Sequence, residues 1–374
     1  MDSLKMDQMV NNSPSFSNAV WQRLKRKRWA LAGLVIILLF FLISLFAYVI
    51  APDHTPFADV QTVEIQAKSP GYTQQFLKIP VSQTENSFVI SQILFGKKNN
   101  YVLLPIKGYR VAKDSIVVNK FIDDDTAVMQ TFSLKALHEN ANSIHKKIVV
   151  KTFWLGTDNF GRDILSRIII GTRVSLGVGL IAVFVSLSLG ILLGALAGYY
   201  GKKIDTVIMW LINVTWSIPT LLLVFALTLA LGKSFWQIFI AVGLTLWVSV
   251  ARLVRGQVMA IKGRAFVQAA KSMGFSNFRI IVYHILPNIA GPLLVIAASN
   301  FATAIVIEAG LSFLGIGVQP PQPSWGLMIK ENYNFIITDQ PFLAIIPGLA
   351  IMMLVLAFHL VGNGLRDAVD VNNS

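Results

Sequence analysis

The sequence predicts an all-α polytopic membrane protein of six transmembrane helices, with an extracytoplasmic α+β or mostly β insertion between helices 1 and 2. Three observations predict it. Only 14% of the 374 residues are charged and 54% are hydrophobic, whereas an ordinary soluble domain carries about 25% charged residues. Six intervals contain no Asp, Glu, Lys or Arg and are long enough to cross a bilayer, which takes roughly 20 apolar residues. The stretch 51–152 interrupts this texture with short apolar runs set between Gly, Pro, Asn and Asp.

The first interval is Trp29–Ile50. It exceeds the roughly 7–15 residues of a signal-peptide core and has no clear small-residue cleavage site, so it reads as a retained anchor. The second lies between Arg173 and Lys202 and the third between Asp205 and Lys233. The fourth, between Lys233 and Arg252, is short. The fifth lies between Arg279 and Glu308, and the sixth between Asp339 and Arg366. Backbone groups in lipid must be satisfied within the segment, so these runs are expected to be helices.

The flanks orient them. Arg23-Leu24-Lys25-Arg26-Lys27-Arg28 precedes the first interval and holds the N-terminus in the cytoplasm. Six spans return the C-terminus to the same side. The inner loops are then Tyr199–Thr206 and about Arg252–Pro287, the second with six basic residues and no acid. The outer loop Gly317–Pro341 carries Lys330 against Glu331 and Asp339. The net charge of +13 is therefore a topology signal rather than a nucleic-acid footprint. Within 51–152, Ser87–Phe95, Tyr101–Ile106, Ser115–Phe121 and Lys147–Trp154 read as strands. Asp123-Asp124-Asp125 reads as a solvated turn, because the spaced ligands of a calcium loop are missing.

Little in the sequence supports chemistry. There are no cysteines, which excludes disulfides, thiolate catalysis and Cys-ligated metals. Neither His-Glu-x-x-His nor Gly-x-Ser-x-Gly occurs. Gly232-Lys233-Ser234 imitates the end of a P-loop, but Leu227 stands where the first glycine belongs. Glu308, at the water-reached outer end of the fifth span, is a candidate pathway residue beside a packing role. His359 reads as structural. Pro219, in Ser217-Ile218-Pro219, kinks the third span and is a candidate gating point. Gly190, Gly194 and Gly198 share a helix face that admits close packing, against an internal neighbour or another subunit.

The inner loop is the most informative segment. Phe266, Ala269, Ala270 and Met273 fall at i, i+3, i+4 and i+7 and share one helical face. Gly274 suits a left-handed helix end, and Ser276 suits the start of the next helix. Two helices joined by an elbow result, either for docking a partner or for lying on lipid headgroups.

Gln268-Ala269-Ala270, Gly274 and His284-Ile285-Leu286-Pro287 resemble the EAA loop of ABC importer permeases. Leu155-Gly156-Thr157-Asp158-Asn159-Phe160-Gly161-Arg162-Asp163 is similar to the signature of the C-type permease of dipeptide and oligopeptide importers. Leu311–Pro321, with Pro323-Ser324-Trp325-Gly326, and Gly362-Asn363-Gly364-Leu365-Arg366-Asp367 follow in the order this family shows. The resemblance covers more than half of the chain. With the runs and flanks read above, the chain divides into a cytoplasmic segment 1–28, a first transmembrane helix 29–50, an extracytoplasmic insertion 51–152 and a permease core 153–374, in which the resemblance makes 252–287 the coupling loop. It implies ATPase coupling through Phe266, Gln268, Ala269, Ala270, Met273 and Gly274. The implied partners are a companion permease, two cytoplasmic P-loop ATPases, an extracytoplasmic substrate-binding protein and membrane lipid, with no nucleic acid. No catalytic residue, metal or cofactor is expected in this chain, ATP being bound by the partner ATPases. The implied location is a bacterial inner membrane, both termini cytoplasmic. Gln268 departs from the family's glutamate, Asn363 stands where aspartate is common, and the insertion exceeds the usual loop. Alternatives are the same architecture importing nickel or another small solute, and a stand-alone ion-coupled secondary transporter. An intramembrane hydrolase lacks a nucleophile–base pair.

Overall fold

The computed structural model describes residues 16–81, 92, 95–97, 99–137, 139–141, 143–232, 235–337 and 340–369. In chain order, the elements are α1 (Phe16–Arg26), α2 (Arg28–Leu45), α3 (Ala47–Ile50), β1 (Tyr72–Pro80), β2 (Tyr101–Val111), β3 (Ser115–Phe121), β4 (Ala127–Ser133) and β5 (Ile148–Phe153). There follow α4 (Ile164–Tyr200), α5 (Lys202–Ser217), α6 (Thr220–Leu231), α7 (Phe235–Lys262) and α8 (Ala265–Ser272). The last are α9 (Asn277–Phe313), α10 (Trp325–Asn332) and α11 (Phe342–Val369). Five helices are long and apolar enough to cross a membrane, or six if the bent pair α5–α6 is one span.

The chain divides into two compact units, residues 41–176 with 309–350, and residues 1–40 with 177–308 and 351–374. The first contains an antiparallel sheet of order β4-β3-β2-β1-β5. Period-two alternation sends neighbouring side chains to opposite faces. Leu77, Ile106, Ile116 and Val118 pack with Leu134, Leu137 and Ile144 on one face. Phe76, Leu103, Phe121 and Phe153 pack with Ile65 on the other. Of the expected strands, Tyr101–Ile106 lies within β2, Ser115–Phe121 is β3, and Lys147–Trp154 brackets β5. Ser87–Phe95 lies outside the described residues except for Gln92 and Phe95, which are helical rather than extended. Asp123 closes the β3–β4 turn by accepting from the amides of Asp125 (3.0 Å) and Thr126 (2.6 Å), and Asp124 pairs with Lys68 at 2.7 Å. The hydrogen bond from Thr126 foremost holds the Asp123 carboxyl below its ordinary pKa.

In the second unit the glycine stripe meets an internal neighbour. A Cβ at Gly190, Gly194 or Gly198 would strike Val250, Ala251 and Val254, or Arg255 and Val258, all of α7. Small residues at this spacing let α4 and α7 approach backbone to backbone. The helix α7 runs ten residues beyond Arg252, past the charge at which the fourth apolar run ends. Both Arg252 and Arg255 belong to this helix. Arg255 is matched by Asp205, with Nε and Nη2 donating at 2.5 and 2.7 Å. A buried polar link crosses the same bundle: Asn300 Nδ2 donates to Ser186 Oγ (3.4 Å) and Leu246 O (3.3 Å), and Ser249 Oγ donates to Asn300 Oδ1 (3.3 Å).

Candidate functional site

The segment Gly263–Pro287 folds as an elbow. Arg264 is extended and opens α8. At the other end Gly274 has φ +76°, its amide donates to Lys271 O at 3.0 Å, and the amide of Phe275 donates to Ala270 O at 3.2 Å. These paired bonds satisfy the last carbonyls of the helix and form a Schellman motif. Phe275 then packs on the cluster that contains Ala270, the apolar contact this motif usually carries. Ser276 Oγ accepts from the Arg279 amide (3.4 Å) and starts α9.

Several contacts fasten the elbow to the bundle. Tyr199 Oη donates to Asn277 Oδ1 at 2.8 Å, and Lys262 Nζ donates to the Tyr199 carbonyl. Phe275 stacks on His284, and the Arg279 guanidinium lies 4.5 Å from the Phe275 ring centre. Val267 and Ala270 are buried among Tyr199, Val254, Val258 and Ile285.

The expected face therefore divides. Phe266 is 43% and Met273 67% exposed, with Ala269 exposed between them. Ala270 is 2% exposed and points into the core, which removes it from the outward face. Val267, one turn before it on the inward side, sets that rotation. Gln268 is exposed, and its Nε2 donates to Lys262 O at 3.0 Å, so its amide ties α8 to the end of α7.

Pro219 stands where α5 gives way to α6. The two helices meet at 97°, so the expected kink is a full break. Glu308, expected where water reaches it, is instead 0% exposed within α9. His359 is exposed rather than built into the core, on a cavity of about 520 Å³ shared with Gln257, Asn363 and Arg366.

The Leu155–Asp163 motif builds a buried charge cluster. Asp158 accepts from Arg162 Nε at 2.6 Å and from the amides of Phe160 (2.9 Å) and Arg162 (3.0 Å). Glu331 pairs with Arg162 (2.6 Å) and Arg167 (3.1 Å). Gly161, at φ +70°, lies where a Cβ would overlap the Thr62 carbonyl. Asp163 accepts from the Ser166 amide (2.9 Å) and from its hydroxyl, which opens α4. Burial is the largest influence on the Asp163 carboxyl and pushes its pKa up. Two cations facing two anions, with backbone donors, make a brace rather than a reactive centre. Spacing alone did not show that Glu331 completes it. Among the described residues no group of three or more His, Cys, Asp and Glu could hold a metal.

Residues 190–371 match the family model described as binding-protein-dependent transport system inner membrane component. Residues 15–68 match the N-terminal TM domain of oligopeptide transport permease C. The chain is 44% identical to the dipeptide transport system permease protein DppC of Alkalihalophilus pseudofirmus, over 58% of this chain and 71% of the relative. It is 40% identical to the glutathione transport system permease protein GsiD of Pectobacterium atrosepticum, over 64% and 76%. It is 38% identical to the oligopeptide transport system permease protein OppC of Bacillus subtilis, over 59% and 72%.

Proposed function

Since the chain belongs to the dipeptide and oligopeptide (C-type) permease family of ABC importers, we propose that it carries dipeptides or oligopeptides across a bacterial inner membrane and takes its driving force through α8. It is a permease subunit and not an enzyme. The observation that carries the mechanism is the divided helix α8. Phe266, Ala269 and Met273 face outward, while Val267 and Ala270 anchor the same helix to the bundle.

In this reading a companion permease completes the pathway and two cytoplasmic P-loop ATPases hydrolyse ATP. An extracytoplasmic binding protein delivers the peptide on the side of the 51–152 insertion. The outward stripe seats in a cleft of an ATPase, with Gln268 and Gly274 fixing its angle. ATP-driven closure displaces α8, and the Tyr199–Asn277 and Phe275–His284 contacts pass the displacement to α4 and α9. The bundle then switches between two states whose balance ATP sets. The break at Pro219 supplies the gating point, and buried Glu308 belongs to the part of the pathway that repacks.

The test is a mild-detergent purification of the tagged chain from its native membrane, followed by uptake measurements on the recovered complex. Co-purification of a second permease and a P-loop ATPase, with ATP-dependent uptake of labelled peptide, is expected. Uptake of Ni²⁺ and not peptide would reassign the cargo. A chain recovered alone that transports on an ion gradient would overturn the reading.

A further inference from the structure

We propose that Arg252, stacked on Trp216 at the break between α5 and α6, is the contact for the terminal carboxylate of the transported peptide. The inference rests on the peptide-importer reading and adds the chemical group that is recognised.

Two arginines lie one turn apart on α7 and differ in one respect. Arg255 has a bidentate carboxylate partner in Asp205. Arg252 makes no ion pair with any described carboxylate. Its guanidinium carbon lies 3.6 Å from the Trp216 ring centre, and Nη2 reaches Asn213 Oδ1 only at a long 3.5 Å. Its Nε is buried without a hydrogen-bond partner. Charges within membrane helices are costly and mark pathways for polar cargo unless they are paired. Arg255 meets the exception, and Arg252 does not.

The surroundings fit a polar cargo. Irregular backbone at membrane depth is tolerated only where protein covers it or where it lines a watered cavity. The break at Ser217–Thr220 interrupts a pair of helices that together are apolar enough to form one span. A small cavity of about 70 Å³ adjoins it, with the hydroxyls of Thr215, Thr220, Thr245 and Ser249 set among the apolar Leu223 and Leu246. Trp216 is 57% exposed, which leaves its ring open beside the guanidinium. A guanidinium lying over an indole can still offer its Nη groups, though not the buried Nε, to the two oxygens of a carboxylate. Every peptide with a free C-terminus offers that group regardless of sequence, which suits a pathway serving varied side chains.

The experiment reconstitutes the complete importer in proteoliposomes with its binding protein. It compares uptake of one labelled tripeptide with uptake of its C-terminal amide. Each variant is referred to wild type for the same peptide, so the preference of the binding protein cancels. Arg252→Gln should lower uptake of the free acid about tenfold or more, the value of a charge-assisted hydrogen bond, and change uptake of the amide by less than about twofold. Arg252→Lys, which keeps the charge and loses the planar fork, should fall between. It also keeps the test open if the glutamine variant fails to assemble. Equal loss for acid and amide would overturn the proposal and make Arg252 a brace or the partner of a companion subunit's carboxylate. No change for either would overturn it as well. If the wild-type complex takes up neither peptide while transporting another solute, the peptide reading fails, and this assignment fails with it.

Discussion

Gly274 shows what one residue decides. Its φ is +76°, and nothing stands within 4 Å of where a Cβ would be. Space is available, so a substitution meets only backbone strain, about 1–2 kcal/mol for an L residue in the left-handed region. Gly274→Val should reopen the Schellman motif and slow ATP-driven uptake several-fold while the chain still inserts and its ATPase still co-purifies. Unchanged uptake would show that the elbow need not be rigid. The Asp158 cluster makes a different residue-scale argument. Asp158 is 1% and Arg167 1% exposed at the side chain, and Glu331 is 13%. Removing one partner of a buried pair costs about 3–5 kcal/mol, because the other charge stays behind. Asp158→Asn should therefore depress the detergent melting temperature far more than Lys27→Ala, which breaks the exposed Lys27–Asp367 pair. Asp163 adds a pH dependence. Burial raises its pKa in the folded chain, so the folded state holds a proton that the unfolded state has released between the ordinary carboxylate value and the raised one. Stability from this group falls as pH rises through that window. Melting curves taken upward from about pH 4 should show the slope, and Asp163→Asn should flatten it.

At the scale of elements, the glycine stripe predicts a sharp contrast. A Cβ on Gly194 would meet the Ala251 carbonyl and the Val254 side chain, whereas one on Gly177 would meet nothing within 4 Å. Gly194→Leu should separate α4 from α7 and lose folded protein, and Gly177→Ala should be neutral or slightly stabilising. Folded yield by size-exclusion chromatography decides it. The stripe was legible in the sequence because small residues at i and i+4 define a face, but its partner was not, since the face says nothing of what fills it. The charge-free runs revealed the helices for the same direct reason. The fourth run stops ten residues short of the end of α7, because a run ends at a charge while a helix need not. Arg255 pairs with Asp205, and Arg252 lies over the Trp216 ring without an ion pair. The strands β3 and β5 were readable from apolar residues, and β1 was not. Its alternation is hidden by Gln74, which is buried because its Nε2 donates to Ile106 O at 2.8 Å. The candidate site was half legible: the glycine and serine that shape the elbow declare themselves, whereas the inward turn of Ala270 depends on what Val267 packs against.

For the whole molecule, the open question is whether α5 and α6 cross the membrane together. At about 1.5 Å per residue, the 16 residues of α5 and the 12 of α6 each fall short of a hydrocarbon core of about 30 Å. Bent by 97°, they form either one broken span or a loop that returns to its own side. Parity separates the two. Between β4 and α9 lie α4, the bent pair and α7. Three crossings put β4 and the start of α9 on opposite sides, and two put them on the same side. The chain has no cysteine, so one introduced thiol is the only labelling site. Met129, on β4, is 78% exposed, and Phe278, at the start of α9, is 74% exposed. In spheroplasts, Met129→Cys should react with a membrane-impermeant maleimide at once, and Phe278→Cys only after lysis. That result makes the bent pair a crossing, consistent with the basic residues around α8 being retained inside. Labelling of both from outside would make it a re-entrant loop and carry α8 away from any cytoplasmic ATPase. The coupling mechanism proposed for this chain therefore depends on the bent pair spanning the membrane.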